Sequence, residues 1–217
     1  MESNISHIQQ AKELHLIMTD MKYAPLGWSG IKVSKVCLGG MSFGKTSPDF
    51  HQWTIDQQGT EQVIGHAIDR GINFIDTANC YAFGTSEEYI GQALRNLNIA
   101  RHQVVLASKV YFNDGHLSKE AINREIDGTL KRLGTDYLDL YIIHRFDYTT
   151  PAEETMEALD ALVKAGKVPL QSALPRRRTR AHPRMPAVRR CFDALLSYGF
   201  RTSGTPDMEF EFHPRHH

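Results

Sequence analysis

Cysteine is scarce in this 217-residue chain. Cys37, Cys80 and Cys191 form an odd set without CxxC spacing, which argues against a disulfide framework and against a zinc site. So thin a thiol content fits a reducing cytoplasm, and no metal ligand set is expected. Long apolar runs are also missing. No stretch approaches the roughly 18 residues of a membrane helix, and residues 1–20 lack an apolar core followed by a small-residue cleavage site, so neither a membrane partner nor export is expected. Net charge is absent as well, with 25 Lys+Arg against 25 Asp+Glu. With 41% apolar and 23% charged residues, the composition is that of a globular protein and excludes a collagen-like or wholly disordered chain. Finally, there is no GxGxxG, and GGMSFG is too short and lacks the lysine of a P-loop, so a Rossmann reading fails.

The last 49 residues contain no lysine, although the preceding chain has ten, and they hold six of the nine prolines. The sequence therefore divides into three parts: an extension over residues 1–20 ahead of Met21, a central region over 21–168, and an Arg/Pro-rich tail over 169–217. The tail reads like translation in a different frame or a divergent native end. Arg176, Arg177, Arg178 and Arg180 could attract nucleic-acid phosphates. No aromatic residue interleaves with them, so this is the weakest functional reading. His213, His216 and His217 read as a frayed terminus rather than a metal site.

The central region alternates β-branched runs with amphipathic stretches, the pattern of βα units around a parallel sheet. Strands are expected over 33–38, 72–76, 104–110 and 137–143. Helices are expected over 60–70, stopped by Gly71; from Thr85 with Glu88 as a capping box; over the stretch carrying Ile122, Ile126, Leu130 and Leu133, closed by Gly134; and from Thr150 as cap to Gly166. Asp76, Lys109 and His144 then stand at or near successive strand ends, the rim where βα barrels build catalysis, and Tyr81 follows Asp76 by five residues. A lysine inside the apolar run VVLASKVYF needs a partner when buried, and the aspartate after INFI supplies one. Gly39, Gly40 and Gly44 read equally as a tight turn or a ligand-lining loop. Cys80 reads as a packed thiol, and His51 and Trp53 lie in a loop where substrate contact is one use and packing another.

At these residues the sequence resembles the aldo-keto reductase family. The stretches KVSKVCLGGMSFG, GINFIDTANCYAFGTSEEYIGQAL, VVLASKV, LKRLGTDYLDLYIIH and RFDYTTPAEETMEALDALVKAGKV carry the resemblance over about residues 22–168. It implies a (β/α)8 TIM-barrel fold and NADPH-dependent reduction of small-molecule aldehydes or ketones by an Asp, Tyr, Lys and His tetrad. Carried over residue by residue, the tetrad falls on Asp76, Tyr81, Lys109 and His144, while Gly40 and Met41 would line the nicotinamide end of NADP(H), with Asp76 near its ribose. In that scheme Tyr81 gives the carbonyl oxygen a proton, Lys109 stabilises the phenolate, Asp76 orients Lys109, and His144 positions the carbonyl.

An eight-fold barrel takes about 250 residues, and only the first four βα units are recognisable before residue 169. The expected fold class is therefore α/β of the TIM-barrel type, truncated to about four units, with an aberrant tail. An inner sheet face open to water and impaired NADPH binding are the expected consequences, because barrel phosphate sites commonly use loops after strands seven and eight. A homodimer through the open half-barrel could cover that face. The alternative is a catalytically inactive fragment, or a non-catalytic binding protein, of the same ancestry.

Overall fold

The computed structural model describes residues 21–27 and 29–168; the N-terminal extension and the tail, with its arginines and terminal histidines, lie outside the described residues. A β-hairpin comes first. Strand β1 (Tyr23–Pro25) pairs antiparallel with β2 (Lys32–Ser34), Ala24 opposite Val33. Four parallel strands come next in sequence order: β3 (Leu38–Gly39), β4 (Phe74–Asp76), β5 (Val105–Val110) and β6 (Leu140–Ile143). Helices α1 (Gln57–Asp69), α2 (Thr85–Asn96) and α3 (Lys119–Leu133) connect them, and α4 (Ala152–Lys164) follows β6. These are the βα units of the expected α/β architecture.

Side-chain alternation sorts the sheet into two faces. Ile75, Leu106 and Tyr141 point outward and pack with Ile64, Ile90, Ile122, Ile126 and Leu162 in the core between sheet and helices. Phe74, Val105 and Ala107 point the other way. The inner face was expected to meet water, but there it does not: Phe74 is 4%, Val105 7% and Ala107 0% exposed, and they cluster with Leu26 and Val33 of the hairpin. The hairpin covers the end of the inner face away from the strand C-termini. Burying each large side chain there stabilises the fold by about 1.5–3 kcal/mol.

The hairpin also corrects the expected strand over 33–38. That run splits at Ser34, whose hydroxyl donates to Val36 O (2.6 Å) and whose N–H donates to Asn73 Oδ1 (2.7 Å). The chain turns there, so β2 and β3 belong to different sheets.

Two helix starts follow the side-chain caps at their ends, and two of the expected caps do not form. Asp56 caps α1 by accepting from Gly59 N–H, and Ser118 caps α3 by accepting from Ala121 N–H. Gly71 and Gly134 stop these helices at positive φ, as expected. The capping box of Thr85 is not formed: its hydroxyl donates to Ala82 O (2.7 Å) and accepts from Lys45 N–H (2.9 Å), and Gly84 holds the cap position. Thr150 likewise does not cap α4: Pro151 holds the cap position, and no side chain caps the first turn.

Candidate active site

The same alternation that turns Val105 and Ala107 inward turns Lys109 inward, and it does so for Asp76 after Phe74 and for His144 after Ile142. The parallel register sets Asp76 opposite Ala107 and Lys109 opposite Ile142, so the three ionisable groups gather at the C-terminal end of the sheet. His144 N–H donates to Val110 O at 3.0 Å, which carries the β6 backbone one residue past the strand.

Lys109 is the hub. Its Nζ donates to Asp76 Oδ2 (2.6 Å), to Thr77 O (2.8 Å) and to Tyr81 Oη (3.3 Å). Three ammonium protons thus meet three oxygens in a side chain only 14% exposed. Burial pushes the Asp76 carboxyl above its ordinary value, and the Lys109 cation pulls the other way.

Tyr81 opens a short 3₁₀ turn, Tyr81–Gly84, whose remaining backbone is unusual. Ala82 (φ 46°), Phe83 (φ 55°) and Gly84 (φ 91°) all lie in the left-handed region before α2 begins. For the two residues with side chains this costs about 1–2 kcal/mol apiece. The strain sits directly beside the phenol, a common place for it at functional sites.

His144 stands edge-on to Tyr81 (5.7 Å between ring centres) and to Phe112 (5.1 Å), with Nδ1 turned towards Cys80 Sγ at 3.9 Å. Burial, then the charges of Lys109 and Arg145, hold its imidazole down to about 4, so the ring is neutral at neutral pH. Burial raises the Cys80 thiol, consistent with a packed thiol rather than a reactive thiolate.

The remaining expected residues surround this cluster. Gly40 N–H donates to Asp76 O (2.7 Å) and Gly40 O accepts from Ser86 Oγ (2.7 Å); a Cβ there would stand 2.9 Å from Ile90 Cδ1, so the position is closed by packing. Met41, beside it, is 39% exposed. Gly39 pairs with Asp76, and a Cβ on it would meet open space. In the next loop His51 stacks on Trp53 (4.4 Å), and Phe50 meets Phe83 edge-on (5.9 Å), which brings that loop to the Tyr81 turn. Among the described residues no group of side chains could hold a metal ion, and no helix is long and apolar enough to cross a membrane.

Two buried polar groups of this region escaped sequence reasoning. Glu87 is 0% exposed, yet a glutamate in the first turn of a helix ordinarily signals a solvated dipole partner. Asn79 donates to Asn113 Oδ1 (3.2 Å) and Glu125 Oε2 (3.0 Å), tying the loop between Asp76 and Tyr81 to α3. Nothing local in the sequence signals either contact.

Residues 35–170 match the family model described as the aldo/keto reductase family. Versiconal hemiacetal acetate reductase of Aspergillus parasiticus is 41% identical over 170 residues, covering 68% of this chain and 49% of the relative. A putative aryl-alcohol dehydrogenase of Schizosaccharomyces pombe is 37% identical, covering 67% of this chain and 49% of its own length. Among solved structures, a thermostable aldo-keto reductase in complex with the inhibitor epalrestat is similar with a TM-score of 0.60 at 34% identity, over 69% of this chain and 52% of that one. The chain spans about half the length of the curated relatives it matches.

Proposed function

Because the chain belongs to the aldo-keto reductase family, we propose that its inner-rim cluster performs the reduction of aldehydes or ketones to alcohols with NADPH. The observation that carries this reading is the Lys109 ammonium held between the Asp76 carboxylate at 2.6 Å and the Tyr81 phenol at 3.3 Å. Reduction of a carbonyl needs a proton at oxygen as charge develops there, and Tyr81 is the donor. Lys109 favours the phenolate left behind, Asp76 keeps the ammonium oriented, and Tyr81 regains its proton from solvent. A neutral His144, its Nδ1 edge towards Cys80, presents Nε2 to the substrate oxygen and fixes that oxygen beside the phenol.

No side chain in the cluster carries hydride, so the redox half of the reaction would fall to a nicotinamide cofactor, whose contribution when bound would be the hydride for the carbonyl carbon. The residues fit such a group: Gly39 leaves open space on the inner face beside Asp76, and Met41 offers an exposed apolar side chain next to it. Gly40, Met41 and Asp76 are the residues assigned to its nicotinamide and ribose end.

A second reading, a non-catalytic binding protein of the same ancestry, draws on the open sheet of four parallel strands. Consumption of NADPH followed at 340 nm with an aromatic aldehyde separates the two. Turnover lost in Tyr81→Phe supports the reductase, and NADPH binding without turnover in the parent chain supports the alternative.

A further inference from the structure

Glu87 sits three residues past Gly84, with both carboxylate oxygens engaged inside the protein. Oε1 accepts from Ser108 Oγ–H (2.5 Å), and Oε2 accepts from Arg132 Nε–H (2.6 Å). Ser108 is the neighbour of Lys109 on β5, its side chain on the opposite face of the strand. Arg132, on α3, reaches Thr129 Oγ1 (3.3 Å) and lays its stem against Gly84: Cδ and Nε stand 2.9 and 3.1 Å from where a Cβ on Gly84 would be.

We propose that the Glu87–Arg132 ion pair is a positioning element that sets the contact between the Tyr81 phenol and the Lys109 ammonium. Tyr81 lies at the near end of the left-handed turn and Gly84 at its far end, so Arg132 backs the turn that aims the phenol. The carboxylate that holds Arg132 also holds Ser108, one residue from Lys109. Both sides of the 3.3 Å contact are therefore tied to one group through α2, α3 and β5 rather than through the loop between Asp76 and Tyr81. Directional, charge-assisted bonds suit this task, because apolar packing alone would hold α2 on α3 without fixing the turn's dihedrals. Strained positive-φ residues also need surroundings that over-determine them, and the Arg132 stem supplies that on the Gly84 side.

The inference rests on Tyr81 being the proton donor, and its test separates the two ideas. Replacing Arg132 alone would strand a buried carboxylate, so the paired variant Glu87→Gln with Arg132→Met is used, which removes both charges and leaves the Ser108 bond available. Kinetics on the full chain with NADPH and 4-nitrobenzaldehyde are compared in the parent and in Tyr81→Phe, alongside hydrogen exchange of residues 81–86. The expected result is a kcat lower by about tenfold or more with KM within about twofold, since misplacement by about 1 Å can cost a hundredfold. In the Tyr81→Phe background the paired change should add no further loss, because its route to catalysis is already gone. Exchange at residues 81–86 should accelerate at least about tenfold while α1 and β4 keep their protection. Unchanged exchange at residues 81–86, or acceleration spread evenly over the chain, overturns the proposal, and this measurement decides even where no turnover is seen. An equal loss of kcat in both backgrounds overturns it too. Full turnover by Tyr81→Phe alone overturns the proton-donor reading and takes the positioning role with it.

Discussion

Charging His144 should weaken the fold, and its surroundings set the size of the effect. Burial, Lys109 and Arg145 all oppose a second positive charge and bring the imidazole from 6.5 down to about 4. The folded value lies below the unfolded one, so the neutral ring contributes stability that is fully present above about pH 6.5 and is lost as pH falls towards about 4. Two and a half units at about 1.36 kcal/mol each set a ceiling near 3.4 kcal/mol, and solvent screening of this half-open ring reduces it to about 1–2 kcal/mol. Urea unfolding of the parent and of His144→Gln over pH 7.5 to 4.5 reads this directly, because the carboxylates titrate in both and drop out of the difference. The stability gap between the two proteins should shift against the parent by about 1–2 kcal/mol over that range, most of it below pH 6. The ring proton of His144, assigned in NMR spectra by its loss in the variant, should titrate well below 6. Parallel stability curves, or a midpoint near 6.5, would refute the claim that Lys109, Arg145 and burial keep this ring neutral.

Three further outcomes are expected from the site and its supports. Tyr81→Phe should lower kcat about a hundred- to ten-thousand-fold while circular dichroism and the melting temperature stay near those of the parent, since the lost hydroxyl makes a single 3.3 Å contact. Asp76→Asn should lower kcat about ten- to a hundredfold, because the ammonium keeps Thr77 O and Tyr81 but loses its shortest, charge-assisted partner; an unchanged kcat would remove Asp76 from the mechanism. Gly91→Ala should destabilise despite alanine's better helix propensity, because a methyl there overlaps the backbone carbonyl of Leu133 where α2 meets α3. Overpacking costs about 1–3 kcal/mol against a propensity gain of about 1, so a melting temperature equal to or above the parent's would show that the two helices can separate freely.

The architecture was legible where a signal is local. The runs INFID and VVLASKV are apolar and β-branched enough to be buried strands, and both are, trimmed to Phe74–Asp76 and Val105–Val110 because pairing rather than composition ends a strand. Gly71 and Gly134 were legible as helix stops because the left-handed conformation is a property of the residue itself. Thr85 and Thr150 were misleading for a related reason: a threonine before a helix looks like a cap whenever its neighbours suit one, yet a hydroxyl takes the best partner the fold offers. For Thr85 the partners are the Ala82 carbonyl and the Lys45 N–H, 40 residues away, and at Thr150 the helix starts one residue later, with Pro151 at the cap.

What the sequence determined by itself was the order of βα units and the placing of Asp76, Lys109 and His144 at strand ends, because two-residue alternation and helix periodicity act over a few residues. That these groups converge on one hub with Tyr81 came from the parallel register, which no local pattern states. Only the tertiary structure decided that residues 33–38 break at Ser34, a choice made by Asn73, 39 residues away. It alone decided that Glu87 is buried, through Arg132 45 residues on, and that His144 is neutral, through groups as distant as Lys109. Each of these depends on desolvation and on a partner brought in by the fold, and both come into being only when the chain has closed around them.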